Sequence, residues 1–335
     1  MRRNYIFLIV FLILLSFGCH RKPKTSCVYG NSIPPDILDA GILAGDSIVN
    51  ALENGQLDKI YDEASEMVKR AQTREQFKLI MQGIMNNLSS IEFSRLVEAY
   101  YLTNKTGKRY NVVSVACNLE QEGVNDIYQV PPNSEIISLI YNSMSGSESL
   151  HIFLELIKEG ERWKLFSLIP GLETLRQKRA DDYVNMARKA REENKPKLAL
   201  LYYQIAFLLS DFSPNVIEFV SSKIAEEMSQ VKTEYMPIGN SQIWTPDDNS
   251  RFEVYNVGVF IEKGEPWVNI DWLAASLNDP QKLEQESEEL FEFAFPKFSE
   301  AREFFVGIVV SAHPRNPSQV AQVFRKFRRF SEIKK

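Results

Sequence analysis

Residues 151–157 read His-Ile-Phe-Leu-Glu-Leu-Ile, and residues 163–169 read Trp-Lys-Leu-Phe-Ser-Leu-Ile. Both runs are short, apolar and rich in β-favouring side chains, and Glu159-Gly-Glu161 sits between them as a turn. That combination predicts a β-hairpin. Upstream of it the same two-residue period marks strands at Ile91–Leu102, Tyr110–Leu119 and Ile136–Tyr141. Asn104–Gly107, Gln121–Asp126 and Ser143–Ser149 supply the turns between them.

Before residue 91 the period is helical. Pro34-Pro35-Asp36 opens a helix with Ile37, Leu38, Ile42, Ile48, Val49 and Leu52 on one side, and Gly55 ends it. A second helix is predicted near Leu57–Ala71. Thr73-Arg-Glu-Gln76 is a capping-box pattern opening a third, to about Leu88. Helices leading into an antiparallel meander that closes on Gly160-Glu-Arg-Trp163-Lys164 resemble the NTF2-like and cystatin-like periplasmic domains over residues 33–171. The resemblance implies an α+β fold whose curled sheet has a concave face able to line a pocket. Enzymes of that fold carry an Asp or His inside. Here the candidate inward faces read Val113/Val115/Cys117 and Ile152/Leu154/Leu156, an apolar filling.

Pro170-Gly171 marks a boundary, and residues 172–232 return to helical spacing. Tyr183, Met186, Ala187 and Ala190, then Ala199, Tyr203 and Ala206, with the turn Asn194-Lys-Pro-Lys197, are similar to one tetratricopeptide repeat. A single copy reads as a repeat-like helical linker packed on its neighbours, with Asn215–Val231 as a capping helix. Residues 233–335 read as a small α/β sandwich. Strands are expected at Arg251–Glu262 and Trp267–Ile270, a helix from Asp279 to about Glu300, and a covered strand at Phe304–Ala312. A last helix from Pro317 or Ser318 would align Val320, Val323, Phe324, Phe327 and Phe330. Its Arg325-Lys326-Arg328-Arg329 cluster would face outward, with the Phe stripe facing either the core or a lipid or protein partner.

The N-terminus reads as an address. Arg2 and Arg3 precede an apolar run from Tyr5 to Phe17, too short to span a bilayer and of signal-peptide length. Gly18-Cys19 at its end resembles the bacterial lipobox, although Ser16 stands where Leu is usual. The resemblance implies a signal peptide over 1–18, a lipidated Cys19 and permanent membrane tethering through residues 19–32. His20 in place of Asp favours the outer membrane over the inner. An uncleaved anchor and an ordinary signal peptide are the competing readings. Cys27 and Cys117 remain, an even number in a compartment that permits disulfides. They are either bridged, or Cys117 is a buried thiol on the Val113/Val115/Cys117 face.

Formal charge is −5, and −7 without Arg2 and Arg3, which speaks against nucleic acid as partner. No nucleotide-binding glycine pattern, nucleophile elbow or metal-ligand spacing is present in the sequence, so neither catalytic residues, metal nor cofactor is expected. His151 reads as structural, and the acidic run Glu284–Glu289 as a solvated helix face. His313 and Arg315, at the end of the covered strand, are candidates for an anion or partner contact. Trp244, in the turn-rich entry Pro237–Asn249, is a candidate interface anchor. The expectation is a non-catalytic, membrane-tethered envelope lipoprotein that contacts another envelope protein through residues 233–335. Removing those residues is expected to leave the rest folded. Binding of a small ligand in the NTF2-like cone, or hydrolase or isomerase chemistry there, are the alternatives.

Overall fold

The computed structural model describes residues 25–85, 88, 90–105, 113–118, 125–210, 216–217, 219–231, 233–237, 241–246, 250–315 and 323–332. The expected signal peptide, Cys19 and the start of the expected last helix lie outside these residues. The fold is α+β, with three sheets among the described residues.

Strand β1 (Thr25–Tyr29) is followed by four helices: α1 (Pro35–Glu53), α2 (Leu57–Asp62), α3 (Glu66–Ala71) and α4 (Arg74–Met85). Next come β2 (Glu92–Asn104), β3 (Val113–Asn118), β4 (Asn125–Val130), β5 (Ser134–Ser145), β6 (Glu148–Glu159) and β7 (Arg162–Leu172). Five of these strands form an antiparallel sheet in the order β1-β2-β5-β6-β7. Its central strands are apolar on both faces because both faces are covered. Ile137, Leu139, Ile152, Leu154 and Leu156 meet the helices, while Leu102, Ile136, Phe153 and Ile157 meet Val115, Cys117, Tyr128 and Val130 of the β3–β4 ribbon. The alternation of Ile152/Leu154/Leu156 with Phe153/Ile157 is thus a two-sided core.

Helix α1 rests directly on this sheet. A Cβ at Gly41 would lie 2.4 Å from Ile137 Cδ1, and one at Gly45 2.5 Å from Leu139 Cδ1. Glycine is what permits that approach, and it leaves no space for a ligand along this contact. Tyr141 donates to Asp46 on the same helix at 2.9 Å.

Three local differences from the sequence expectation have physical causes. Residues 25–29, expected as tether, form β1 because the edge of β2 offers unpaired backbone groups, and Ser26 and Thr103 hydroxyls bond at 2.7 Å. Cys27 and Cys117 are disulfide-bonded with Cα atoms 5.4 Å apart; Cys117 is buried, as half of this bridge and not as a free thiol. The second helix breaks at residues 63–65, where Ser65 N donates to Leu165 O and Leu165 N to Glu63 O, both at 2.8 Å. Ser65 then caps α3, accepting from Val68 N.

Glu148 is buried at the joint that follows β7. It accepts from Thr174 Oγ1 at 2.9 Å and from Gln177 N at 3.0 Å, while Arg176 donates to Phe304 O at 2.6 Å. Beyond it lie α5 (Ala180–Glu192), α6 (Pro196–Ser210), a two-residue β8 (Val216–Ile217) paired to β4, and α7 (Phe219–Ser229). Then come β9 (Gln242–Trp244), β10 (Phe252–Glu262), β11 (Glu265–Ala274), α8 (Pro280–Lys297), β12 (Gly307–Pro314) and β13 (Phe324–Arg329). Sheet order is β13-β12-β11-β10-β9, with β11 and β12 parallel and joined through α8. One hydrophobic cluster runs from Leu175 through Tyr203 and Trp244 to Ala312. Removing 233–335 would therefore bare the apolar sides of α5 to α7, contrary to the expectation that the remainder stays folded.

The last element is a correction: residues 324–329 form a strand, not a helix. The helical stripe of Phe residues was outweighed by the free edge of β12, which β13 completes. Strand alternation sends Phe324, Lys326 and Arg328 toward α8 and Arg325, Phe327 and Arg329 to the opposite face. Lys326 bonds Glu284 and Glu288, and Arg328 bonds Glu288. The acidic run on α8 is thus an ion-pairing surface; the hydrogen bond from Lys326 holds the Glu288 carboxyl below its ordinary range.

Candidate functional site

The terminal sheet has two unlike faces. Val268, Ile270 and Trp272 of β11 and Ile308, Val310 and Ala312 of β12 point into the core. The alternating residues Asn269 and Asp271, and Ser311 and His313, therefore share the opposite face. Strand register extends this into one row across four strands: Asn256 opposite Asp271, Asp271 beside Ser311, and Ser311 opposite Arg325.

These side chains form a closed network around Asp271. Its Oδ2 accepts from Asn256 Nδ2 at 2.7 Å and from Asn269 Nδ2 at 2.8 Å, and its Oδ1 lies 3.1 Å from His313 Nε2. Ser311 donates to Asn269 Oδ1 at 3.2 Å. A carboxylate oxygen only accepts, so the contact with Asp271 is a hydrogen bond donated by His313 Nε2. The Tyr255 ring meets the imidazole edge-on at 5.4 Å, a second restraint on its orientation. His313 keeps a quarter of its side chain exposed, so the network ends at solvent.

Next to this polar row is an aromatic floor. Phe327 packs on Trp267 at 5.1 Å and Phe260 at 6.0 Å between ring centroids. Arg325 stacks over Phe260 at 4.9 Å and Arg329 over Trp267 at 5.6 Å. Arg329 is also paired with Glu265, whereas Arg325 is exposed and has no carboxylate within ion-pair distance among the described residues. The arrangement places a largely buried polar network, a packed aromatic cluster and two exposed arginines on one sheet face, with solvent access at His313, Arg325 and Arg329. In the hydrogen bonds described, Ser311 points to Asn269 rather than to His313, which is not the nucleophile–base pairing of covalent catalysis.

Of the residues singled out in the sequence, His313 and Arg315 lie together at the end of β12. Arg315 is tied to Glu253 by a 2.6 Å ion pair. Trp244 is a correction: it is only 2% exposed, on the core side, wedged between Tyr235 and Phe293 at 5.9 and 5.5 Å. The turn-rich sequence around it suggested a surface, but β9 pairs with β10 and turns the indole inward. His151 is half-buried beside Glu173, and burial pushes its imidazole pKa down. Sequence reasoning missed Asn256, Asn269 and Asp271, and placed Arg325 on a helix. The readable signal for two of them was Val268-Asn-Ile-Asp-Trp272, polar residues inserted at every second place of a buried strand.

No family model matches the chain, and no curated protein and no solved structure is significantly similar to it. No helix among the described residues is long and apolar enough to cross a membrane, and no group of three or more His, Cys, Asp or Glu there is arranged to hold a metal ion.

Proposed function

We propose that this chain is a lipid-anchored, non-catalytic protein of the bacterial envelope that works by contacting another envelope protein through the side of its terminal sheet that carries His313 and Arg325. The observation that carries this reading is the Asp271-centred network, an ordered and largely buried polar cluster that reaches solvent at His313, beside the exposed Arg325. Its donors and acceptors satisfy one another and fix the shape of the surface, which suits recognition.

Two features support the address. The signal-like run ends at Cys19, and the Cys27–Cys117 disulfide belongs to oxidising compartments. Thr25 follows Cys19 by six residues, a reach of about 20 Å at full extension, so a lipidated Cys19 would hold the first sheet close to the bilayer. Within this reading the first unit is an NTF2-like or cystatin-like relative, and α5 and α6 form a tetratricopeptide-like pair. Buried Ala187, Ala190, Ala199 and Ala206 let those helices approach closely. The packing of Gly41 and Gly45 on the sheet favours contact over a ligand cone.

One experiment with three strains tests the proposal. Cells expressing wild type, Cys19→Ser, or a combined His313→Ala/Arg325→Glu variant are fed a clickable fatty acid and then chemically cross-linked. Wild type should take up label and capture an envelope protein. Cys19→Ser should lose label, and the face variant should keep label but lose the capture. An unlabelled yet membrane-bound wild type would mean that the apolar run is an uncleaved anchor, and undiminished capture by the face variant would place the contact elsewhere.

A further inference from the structure

Among the described residues strand β13 ends its sheet, pairing only with β12. Phe330 N donates to Val306 O, which fixes the register of inward-pointing groups along the pair. The amides and carbonyls of residues 328, 326 and 324 then face β12, and those of Arg325, Phe327 and Arg329 face away from the sheet. Such outward groups are a template for another strand. The chain already places an acid there: Glu332 Oε2 accepts from Arg329 N at 3.4 Å.

The side chains select what can add. On the α8 side, Lys326 and Arg328 are neutralised by Glu284 and Glu288. On the open side, the edge presents Arg325, Phe327 and Arg329 in alternation, with Arg325 free of any carboxylate among the described residues. A second copy of β13 added antiparallel about Phe327 would set Arg325 opposite Arg329, like charges in direct register, which is unfavourable.

Resting on the reading of the terminal unit as a contact module, we infer that the partner supplies an extended acidic segment that adds to β13 as a further strand. Its side chains alternate acidic, apolar, acidic on the open face, opposite Arg329, Phe327 and Arg325. Main-chain bonds give the affinity and this alternation gives the specificity, as in other strand-addition complexes.

The test uses the full-length protein in detergent and a short, capped, fluorescently labelled peptide with Glu-Thr-Val-Thr-Glu at its centre. A control peptide has the same composition with the acids clustered at one end. Fluorescence anisotropy should show binding of the first and much weaker binding of the second. Arg325→Ala should weaken the alternating peptide about threefold through the lost charge pair. Arg325→Pro, which also removes an outward N–H at an edge position that tolerates proline, should weaken it about fivefold more. Circular dichroism of both variants establishes that the sheet is intact. Equal binding of the two peptides, equal effects of Ala and Pro, or absence of binding would each overturn the strand-addition proposal. So would a dimer that Arg325→Pro dissolves, which would make a second copy the occupant. Should the peptide fail while wild-type cells still lose their captured protein on His313→Ala/Arg325→Glu substitution, only the occupant is wrong and the contact face stands.

Discussion

Reducing the Cys27–Cys117 bond, or replacing Cys27 by Ser, is expected to lower the stability of the first unit by about 4–5 kcal/mol. The bond closes a loop across a sequence separation of 90 residues, and the unfolded chain gains most entropy when so long a loop is released. The location adds to the effect. β1 is an edge strand of only five residues, and the covalent link ties it to the β3–β4 ribbon that packs on one face of the five-stranded sheet. Hydrogen exchange with and without reductant checks this: amides of β1 and β3 should lose protection first, and the denaturation midpoint should fall. Unchanged midpoints would mean that strand pairing alone holds the ribbon.

Trp244→Ala is expected to cost about 3–5 kcal/mol, the range for removing a large buried aromatic. The indole is packed by Tyr235 and Phe293 in the cluster that α5 to α7 share with the terminal sheet, so the loss should spread through both. His313→Ala removes a partly exposed ring at the edge of its network and should leave thermal stability nearly unchanged by comparison. Calorimetry on the two variants separates the roles. A Trp244→Ala protein melting with wild type would return Trp244 to the surface, whereas a large drop for His313→Ala would make the Asp271 network part of the core.

Much of the fold was legible because period and burial agreed. Ile152, Leu154 and Leu156 alternate through a strand, and α5 and α6 follow from Tyr183, Ala187, Ala190, Ala199 and Tyr203. The failures come where a tertiary partner decided between two readings. Phe324, Phe327 and Phe330 have helical spacing, yet 324–329 became a strand because the edge of β12 needed one and Glu284 and Glu288 stood ready for Lys326 and Arg328. Trp244 was read as exposed from neighbouring turn residues, but its own three-residue strand turns it inward. His313 was found from its place at a strand end. Its partners Asn256 and Asp271 are brought to it by register between strands, which a single sequence does not display.

The central claim is that the exposed rim of the terminal sheet around His313, Arg315 and Arg325 carries the contact. A photo-reactive amino acid placed in the full-length protein at Arg315, at Arg325 and, for comparison, at the exposed Leu43 on the outer side of α1 tests it in living cells. After irradiation, positions 315 and 325 should give the same discrete adduct and position 43 none. An adduct at position 43, with none at 315 or 325, would contradict the account.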